Sequence, residues 1–537
     1  MTKKALAILL ALSLVLTACI GFAEGVNETT IAEKAKLGTK VQKVTEEPVT
    51  LSVWVDISGN NAVGNIIESM NDMDLVKAME EKTGVHLEFT CAPIGEAESS
   101  FSLMIASGKY PDIIMGFDNY YKLGGEAAIE DGILLDLKDL VEKYAPNYKA
   151  VCAASDYRAK NTVTDSGKMP YICSPAYQDA IQTTYGGPII RQDLLDKLGM
   201  TAPVTYDDWY TYLSRCVKEL GLKRAFGLSY NGICKYNGFN AGFGFAMPNS
   251  TMDTPFYQEN GQVKFAPLEQ NYKDYLTMMA KWYADGLIDP DFTSTITFDD
   301  GVAMMSSGEC AGTSDHGGLA GYINSLGQAV DPNFNFVAIA NPVKTAGETL
   351  HIGSNTGSFM SKVCGISTTC KNPEIAVAYI DQYFTDEGFM LCNYGTEGKT
   401  YTLVDGMPVY TDLILNNPKG TITDTLTAYA SPVNWFREVV SGRDDYPTTA
   451  AMAEVWDSND DYANMLPNDV SLTTEEKEIY SDVFPEIKSY VEEMTVKFIM
   501  GLESFDNYDA FVQNVKDLGI QQVIDSYQAA LERYLSR

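Results

Sequence analysis

Apolar and polar positions along the chain switch between a period of two and a period near 3.6. Leu51-Ser-Val-Trp-Val-Asp56 alternates and predicts a first strand. Met73, Val76 and Met79 then form one stripe, which predicts a helix over 68–82 closed by Gly84. Val85, Leu87 and Phe89 alternate again. A short helix at 101–106 is broken by Ser107-Gly108, and Asp112-Ile-Ile-Met-Gly116 reads as a compact buried strand. This β-α-β-α-β rhythm predicts a largely parallel sheet with helices on its faces. Leu137, Leu140, Val141 and Tyr144 give a further helical stripe that stops near Pro146.

From residue 183 a second such region begins. Tyr185-Gly-Gly-Pro-Ile-Ile-Arg191 predicts a strand. Thr205 caps a helix carrying Trp209, Leu213, Val217 and Leu220 on one side, and Gly221 ends it. Leu276, Met279, Ala280 and Tyr283 repeat the pattern up to Gly286. A strand over 334–339 and a helix over 373–384 follow. The last third is mainly helical, with a capping box at Thr473 and Glu476 and a final stripe from Ile520 to Tyr534. Trp209 and Trp282 sit on such stripes and are expected in the core.

The first residues have a different anatomy. Lys3 and Lys4 precede an apolar run from Ala5 to Val15, too short to span a bilayer and typical of a secretory signal within residues 1–23. Leu16-Thr-Ala-Cys19 resembles a bacterial lipobox, which implies diacylation of Cys19 and a lipid-anchored chain facing outward. Conventional cleavage after Gly21-Phe-Ala23 is the alternative. Residues 24–48 are polar and aperiodic and are expected to be a flexible stalk.

Charge narrows the partners. The 537 residues hold 39 Lys plus Arg against 72 Asp plus Glu, a formal net charge of −33. Such a chain lacks the clustered cations that nucleic acid or anionic lipid require. His86, His316 and His351 are the only histidines and lie far apart, which argues against a multi-histidine metal site. Asp457-Ser-Asn-Asp-Asp461 opens like a calcium loop, but Tyr462 stands where glycine is needed and Asn468 where the closing glutamate belongs. No metal or cofactor is expected. The nine cysteines after Cys19 include no C-x-x-C pair and are expected mainly as buried apolar groups. Neither a phosphate-binding glycine loop nor a G-x-S-x-G elbow occurs.

Several phrases in order resemble the extracellular solute-binding proteins of ABC importers, in the large lipoprotein branch of the carbohydrate-type family found in Firmicutes. They are Ser107-Gly-Lys-Tyr-Pro-Asp-Ile-Ile114, Asp193-Leu-Leu-Asp-Lys-Leu-Gly199 with Pro203-Val-Thr-Tyr-Asp-Asp-Trp209, Tyr283-Ala-Asp-Gly-Leu-Ile-Asp-Pro-Asp-Phe292, Tyr394-Gly-Thr-Glu-Gly-Lys-Thr-Tyr401 with Asp405-Gly406, and the helix Gly519–Tyr534. The resemblance implies an α/β, two-lobed periplasmic-binding-protein-like fold of type II character. Ligand is then held in a cleft between lobes joined by crossing strands, with no chemistry performed. It assigns residues 49–180 and about 320–375 to lobe 1, and 181–319 and about 376–537 to lobe 2. The expected partners are a small ligand and the transmembrane subunits of an ABC permease, with the protein itself monomeric. A secreted glycoside hydrolase and a peptide-binding protein are the alternatives.

Sugars are gripped by aromatic faces and planar polar side chains in loops after strands. Trp54, Asp56, Asn60 and Asn61 close the first strand. Asp118, Asn119, Tyr120 and Tyr121 follow the third. Phe243 lies in a glycine- and aromatic-rich stretch, Asp315 and His316 in a small polar turn, and Trp435 and Arg437 in a late loop. These are the candidate contacts, with Tyr120 or Tyr121 and Trp435 as stacking faces and Asp56 and Asp118 as hydroxyl acceptors. Arg191 is expected to pair with a carboxylate. Basic residues near these loops are few (Lys122, Arg191, Arg437), which favours a neutral carbohydrate.

Overall fold

The computed structural model describes residues 38–537 except 58–61, 94–95, 122, 155, 176–183, 185, 230–231, 248–254, 355–358, 405, 421, 431–446 and 468–469. Cys19, Asn60, Asn61, Lys122, Trp435 and Arg437 therefore lie outside the described residues. The strands in chain order are β1 Val49–Val55, β2 Val85–Cys91, β3 Ile113–Met115, β4 Ile172–Pro175, β5 Gly186–Arg191, β6 Phe256–Glu259, β7 Gln262–Phe265, β8 Gly312–His316, β9 Phe336–Ala338, β10 Phe359–Ile366, β11 Tyr401–Val404 and β12 Met407–Tyr410.

Two units emerge, each from separate stretches of chain. Unit 1 takes residues up to Asp179 and Phe359–Asp445; unit 2 takes Ala180–Ser358 and Tyr446–Arg537. These limits differ from the expected lobes. Residues 320–358 belong to unit 2 because the helix Gly317–Gln328 buries Leu319, Ala320 and Ile323 with Ile189 of β5. The helix Pro373–Asp381 belongs to unit 1 because Ala376, Val377 and Ile380 join the core under β1.

Unit 1 is built on a five-stranded sheet in the order β2-β1-β3-β10-β4. β1 runs parallel to β2 and to β3, as the β-α-β-α-β rhythm predicts. β10 returns from the far side of the chain and pairs antiparallel with β3 and β4. The helix Asp74–Thr83 buries Leu75, Val76 and Met79 and ends on Gly84 at φ 79°, where the left-handed backbone suits glycine. Residues 38–48 do not form the free stalk expected of them. Val41 and Val44 pack on this core, the Gln42 amide N–H donates to Gln382 (2.8 Å), and that of Val44 to the Thr83 carbonyl (2.9 Å). Two valines supply an apolar anchor that overall polarity conceals.

Unit 2 centres on β5, all six of whose residues are buried. β8 and β9 flank it, both antiparallel. Thr205 caps the helix Tyr206–Leu220 through the Asp208 amide, and Trp209 on that helix is fully buried. Trp282 is also in the core, at 2% exposure. The capping box at Thr473 and Glu476 starts the 26-residue helix Thr474–Ile499, and Gly519 starts the closing helix Ile520–Ser536. Eight of the nine described cysteines are buried, Cys91 less so, and all nine are free thiols.

Arg191 is structural, as expected. Its Nε donates to Asp193 Oδ1 (2.6 Å) and its Nη2 to Oδ2 (2.8 Å), with the guanidinium 3.8 Å above the Phe334 ring. Removing one partner of a buried pair strands the other charge. Arg191→Met should therefore lower stability by about 3 kcal/mol, read by urea denaturation. The double variant with Asp193→Leu should recover part of that loss. Equal losses in the single and double variants would disprove the pairing account.

In unit 1, buried Asp381 accepts from the Tyr148 amide (2.8 Å) and from Asn147 Nδ2 (2.7 Å). Burial pushes its carboxyl up to about 6 against those hydrogen bonds. A carboxyl whose folded pKa exceeds its unfolded value of about 3.9 stabilises the fold fully below that value. The contribution is lost as pH rises through about 6. Asp381→Asn should remove this component, so variant and parent stabilities should converge or cross by about 3 kcal/mol between pH 4 and 7. A pH-independent difference in denaturant midpoints would refute it.

Candidate functional site

In unit 1, β1 and β3 run parallel and end side by side, so their following loops meet at one edge. β1 delivers Trp54 and Asp56 there. A one-turn helix, Phe117–Tyr120, follows β3 after Gly116 at φ 59° and delivers Asp118, Asn119 and Tyr120. The Tyr120 hydroxyl donates to Asp56. Burial, reinforced by that carboxylate, drives the phenol well above its ordinary range, so Tyr120 stays protonated and acts as a donor.

The aromatic rings here form a wall. Trp54 meets Phe101 and Tyr120 edge-on, each at 5.6 Å, and Phe101 meets Tyr120 at 5.4 Å. Phe117 packs on Tyr121 at 5.0 Å and on Tyr171 at 6.2 Å. Trp54 is only 3% exposed, so its ring supports the wall from within and is not presented as a stacking face. Its Nε1 donates to Ser100 Oγ at 3.4 Å. Tyr120 and Tyr121 are half-buried, and Asn119 is exposed. The Tyr121 hydroxyl donates to Asp131. Asp118 faces the Tyr171 hydroxyl, and burial together with that carboxylate raises the Tyr171 pKa far above normal. Trp54, Asp56, Asp118, Asn119, Tyr120 and Tyr121 thus converge. Ser100, Phe101 and Tyr171 join them from other elements.

In unit 2, β5 and β8 pair so that Gly186 lies opposite His316 and Gly187 opposite Asp315. Asp315 is 4% exposed and already engaged: Lys235 Nζ lies 2.6 Å from Oδ2, and the His316 amide donates to Oδ1 (2.8 Å). It anchors these groups and does not itself present an open acceptor. The His316 ring caps the helix Gly317–Gln328, with Nδ1 accepting from the Leu319 amide (3.1 Å). Burial lowers its pKa, outweighing the opposing pull of Asp315. The neutral ring therefore carries its proton on Nε2. Phe243 is not part of this group. It packs against Tyr206 (4.9 Å) and Tyr275 (5.4 Å), with Lys344 Nζ 4.4 Å above its ring. Arg191 lies at the opposite end of β5.

Lys235 and Tyr236 stand beside Asp315 and His316 in the fold, though the sequence does not mark them. The Asn237-Gly238 turn signal was present, but nothing local shows that the turn folds back onto β8. The acidic loop at 457–461 is engaged by residues from outside it. Asp457 accepts from Thr184 and from the Tyr462 hydroxyl, and Asp461 lies 2.8 Å from His351 Nδ1. Among the described residues no group of His, Cys, Asp and Glu could hold a metal ion, and no helix is long and apolar enough to cross a membrane.

Comparison with known proteins agrees with this architecture. The family model for bacterial extracellular solute-binding proteins matches residues 68–388. Lipoprotein LipO of Bacillus subtilis is 26% identical over 354 residues, 64% of this chain and 66% of LipO. The polygalacturonan/rhamnogalacturonan-binding protein YtcQ of the same organism is 22% identical over 471 residues, 85% of this chain and 88% of YtcQ. An HMO-binding, ABC-transporter-associated solute-binding protein from Bifidobacterium longum infantis has the same fold, with a TM-score of 0.75 at 18% identity over 91% of this chain and 99% of that one. With more than half its length matched by the family model, the chain belongs to the bacterial extracellular solute-binding proteins.

Proposed function

We propose that this protein captures a carbohydrate outside the cell and hands it to the transmembrane subunits of an ABC permease, making and breaking no bond. The observation that carries this reading is the aromatic and carboxylate wall at the ends of β1 and β3. There Tyr120 and Tyr121 offer half-buried rings, and Asp56 and Asp118 offer carboxylates beside them. Rings take the C–H faces of a sugar, and carboxylates accept from its hydroxyls. The carbohydrate ligands in the names of YtcQ and the Bifidobacterium protein support the same class.

The ligand is read as a neutral oligosaccharide, because a net charge of −33 repels an anion at long range. An oligogalacturonide is the second reading, supported by the name of YtcQ, which aligns with 85% of the chain. Cys19 is proposed as the lipid attachment point, a reading supported by the name of the relative LipO, and the protein is proposed to act as a monomer.

A thermal-shift screen should separate the two ligand readings. A bound ligand raises the melting temperature with concentration, because it adds RT ln(1 + [L]/Kd) to stability. Malto-, fructo- and manno-oligosaccharides are expected to give the shift and oligogalacturonides not. The reverse result would establish the second reading, and silence from both would reject carbohydrate binding. With the sugar that binds, Asp118→Ala should weaken affinity about 10–150-fold, the value of one hydrogen bond to a charged acceptor. Parent-like calorimetry for that variant would remove Asp118 from the site.

Lipidation has its own readout. Mass spectrometry of the membrane fraction should find a peptide beginning with diacylated Cys19. A soluble form beginning at Glu24 would establish conventional cleavage instead.

A further inference from the structure

Among the described residues, two aromatics of unit 2 sit at positive φ: Tyr462 (φ 57°), which is buried, and Tyr236. Tyr236 and Asn237 follow each other at φ 55° and 53°, in the left-handed region that non-glycine residues seldom occupy. The loop is clamped on both sides of the tyrosine. Buried Asn237 donates through Nδ2 to the Gly353 carbonyl (2.8 Å), and its Oδ1 accepts from the Met247 amide (2.7 Å) and Asn240 Nδ2 (2.9 Å). Ser314 Oγ donates to the Lys235 carbonyl (2.6 Å), and a Cβ on Gly238 would come within 2.2 Å of that same oxygen. Asn237 is thus held by three side-chain hydrogen bonds, and only glycine fits at 238.

The clamp lays the Tyr236 ring on the backbone of Gly186, where any Cβ would meet ring carbons at 2.6 Å. Trp456 lies on Gly187 in the same way. The two rings differ in burial. Trp456 is fully buried and donates from Nε1 to the Pro188 carbonyl (2.9 Å), as a core residue should. Tyr236 is half-buried. Tyr236 thus covers Gly186 with part of its ring and leaves the remainder accessible to solvent.

Donors flank that ring. Lys235 Nζ stands 5.7 Å from its centroid, oriented by buried Asp315, and the His316 ring meets it edge-on at 6.3 Å with its proton on Nε2. The Lys235 charge is balanced by Asp315, so the place is suited to hydroxyl oxygens and not to a strong anion. We propose that Tyr236, flanked by Lys235 and His316, forms a sugar subsite of unit 2 in which the tyrosine ring carries a pyranose face and the Lys235 ammonium donates to its hydroxyl oxygens. The proposal rests on the carbohydrate reading given above.

Calorimetry on the full chain, with the malto-, fructo- and manno-oligosaccharides and the oligogalacturonides as probes, tests it. Tyr236→Gly and Tyr236→Asn both remove the ring and suit the positive φ. Each should keep or raise the unliganded melting temperature while lowering affinity about 30-fold, as for an aromatic binding anchor. Tyr236→Phe should bind like the parent, and Lys235→Met should lose about tenfold. If the glycine and asparagine variants bind as tightly as the parent, the subsite is disproved and the carbohydrate reading survives. If both lose affinity only in step with a fall in melting temperature, the ring is structural and the proposal is likewise overturned. If the parent binds none of the probes, the carbohydrate reading fails and the subsite with it.

Discussion

A strand buried along its whole length has no face left for solvent, and β5 imposes that constraint on unit 2. Its two faces must be covered by other elements, and its ends must meet side chains that tolerate close backbone. At one end Gly186 and Gly187 allow the rings of Tyr236 and Trp456 to lie directly on the chain. At the other, Arg191 crosses into a place too dry for a lone charge and is held by Asp193 and the Phe334 ring. One six-residue strand thus sets the polar turn at Asp315 and His316 on one side and a purely structural ion pair on the other.

Unit 1 meets a related constraint with a different solution. Parallel pairing places the ends of β1 and β3 together, so the residues that follow them share one edge. An edge lined by Trp54, Phe101, Phe117 and Tyr171 could not also hold carboxylates without partners. Phenol hydroxyls resolve this, with Tyr120 meeting Asp56 and Tyr121 meeting Asp131. Aromatic bodies fill the wall and their hydroxyls satisfy the acids at its rim. The same mixture of apolar face and polar edge suits a sugar, which has C–H patches on its faces and hydroxyls around its circumference.

Periodicity alone carried the local elements. Alternation at 51–55, the stripe through Met73, Val76 and Met79, and the capping residues Thr205 and Thr473 each depend on neighbours within a few positions, so the chain displays them directly. The grouping of Asp56 with residues 118–121 was also legible, because consecutive parallel strands must end at the same edge. Family membership was readable as well, through phrases spread along the chain in a recognisable order.

What escaped the sequence depends on contacts between distant residues. Asp315 was a candidate contact in a polar turn, and nothing local marked it as already paired, because its partner Lys235 lies 80 positions away. Whether Trp54 contacts ligand or lies in the core was open in the sequence, because its burial against Tyr120 and Phe101 is decided by two helices that arrive later. The polar segment 38–48 looked free because Val41 and Val44 find their core only once residues 382 and 387 come into place. The limits of the two units followed the same rule, set by which core buries the helices at 317–328 and 373–381. Local hydrogen bonding and hydrophobic period are properties of a few adjacent residues, so sequence determined them. Burial and partner choice are properties of three-dimensional neighbours, so tertiary structure alone decided which charges are satisfied and which rings remain at the surface.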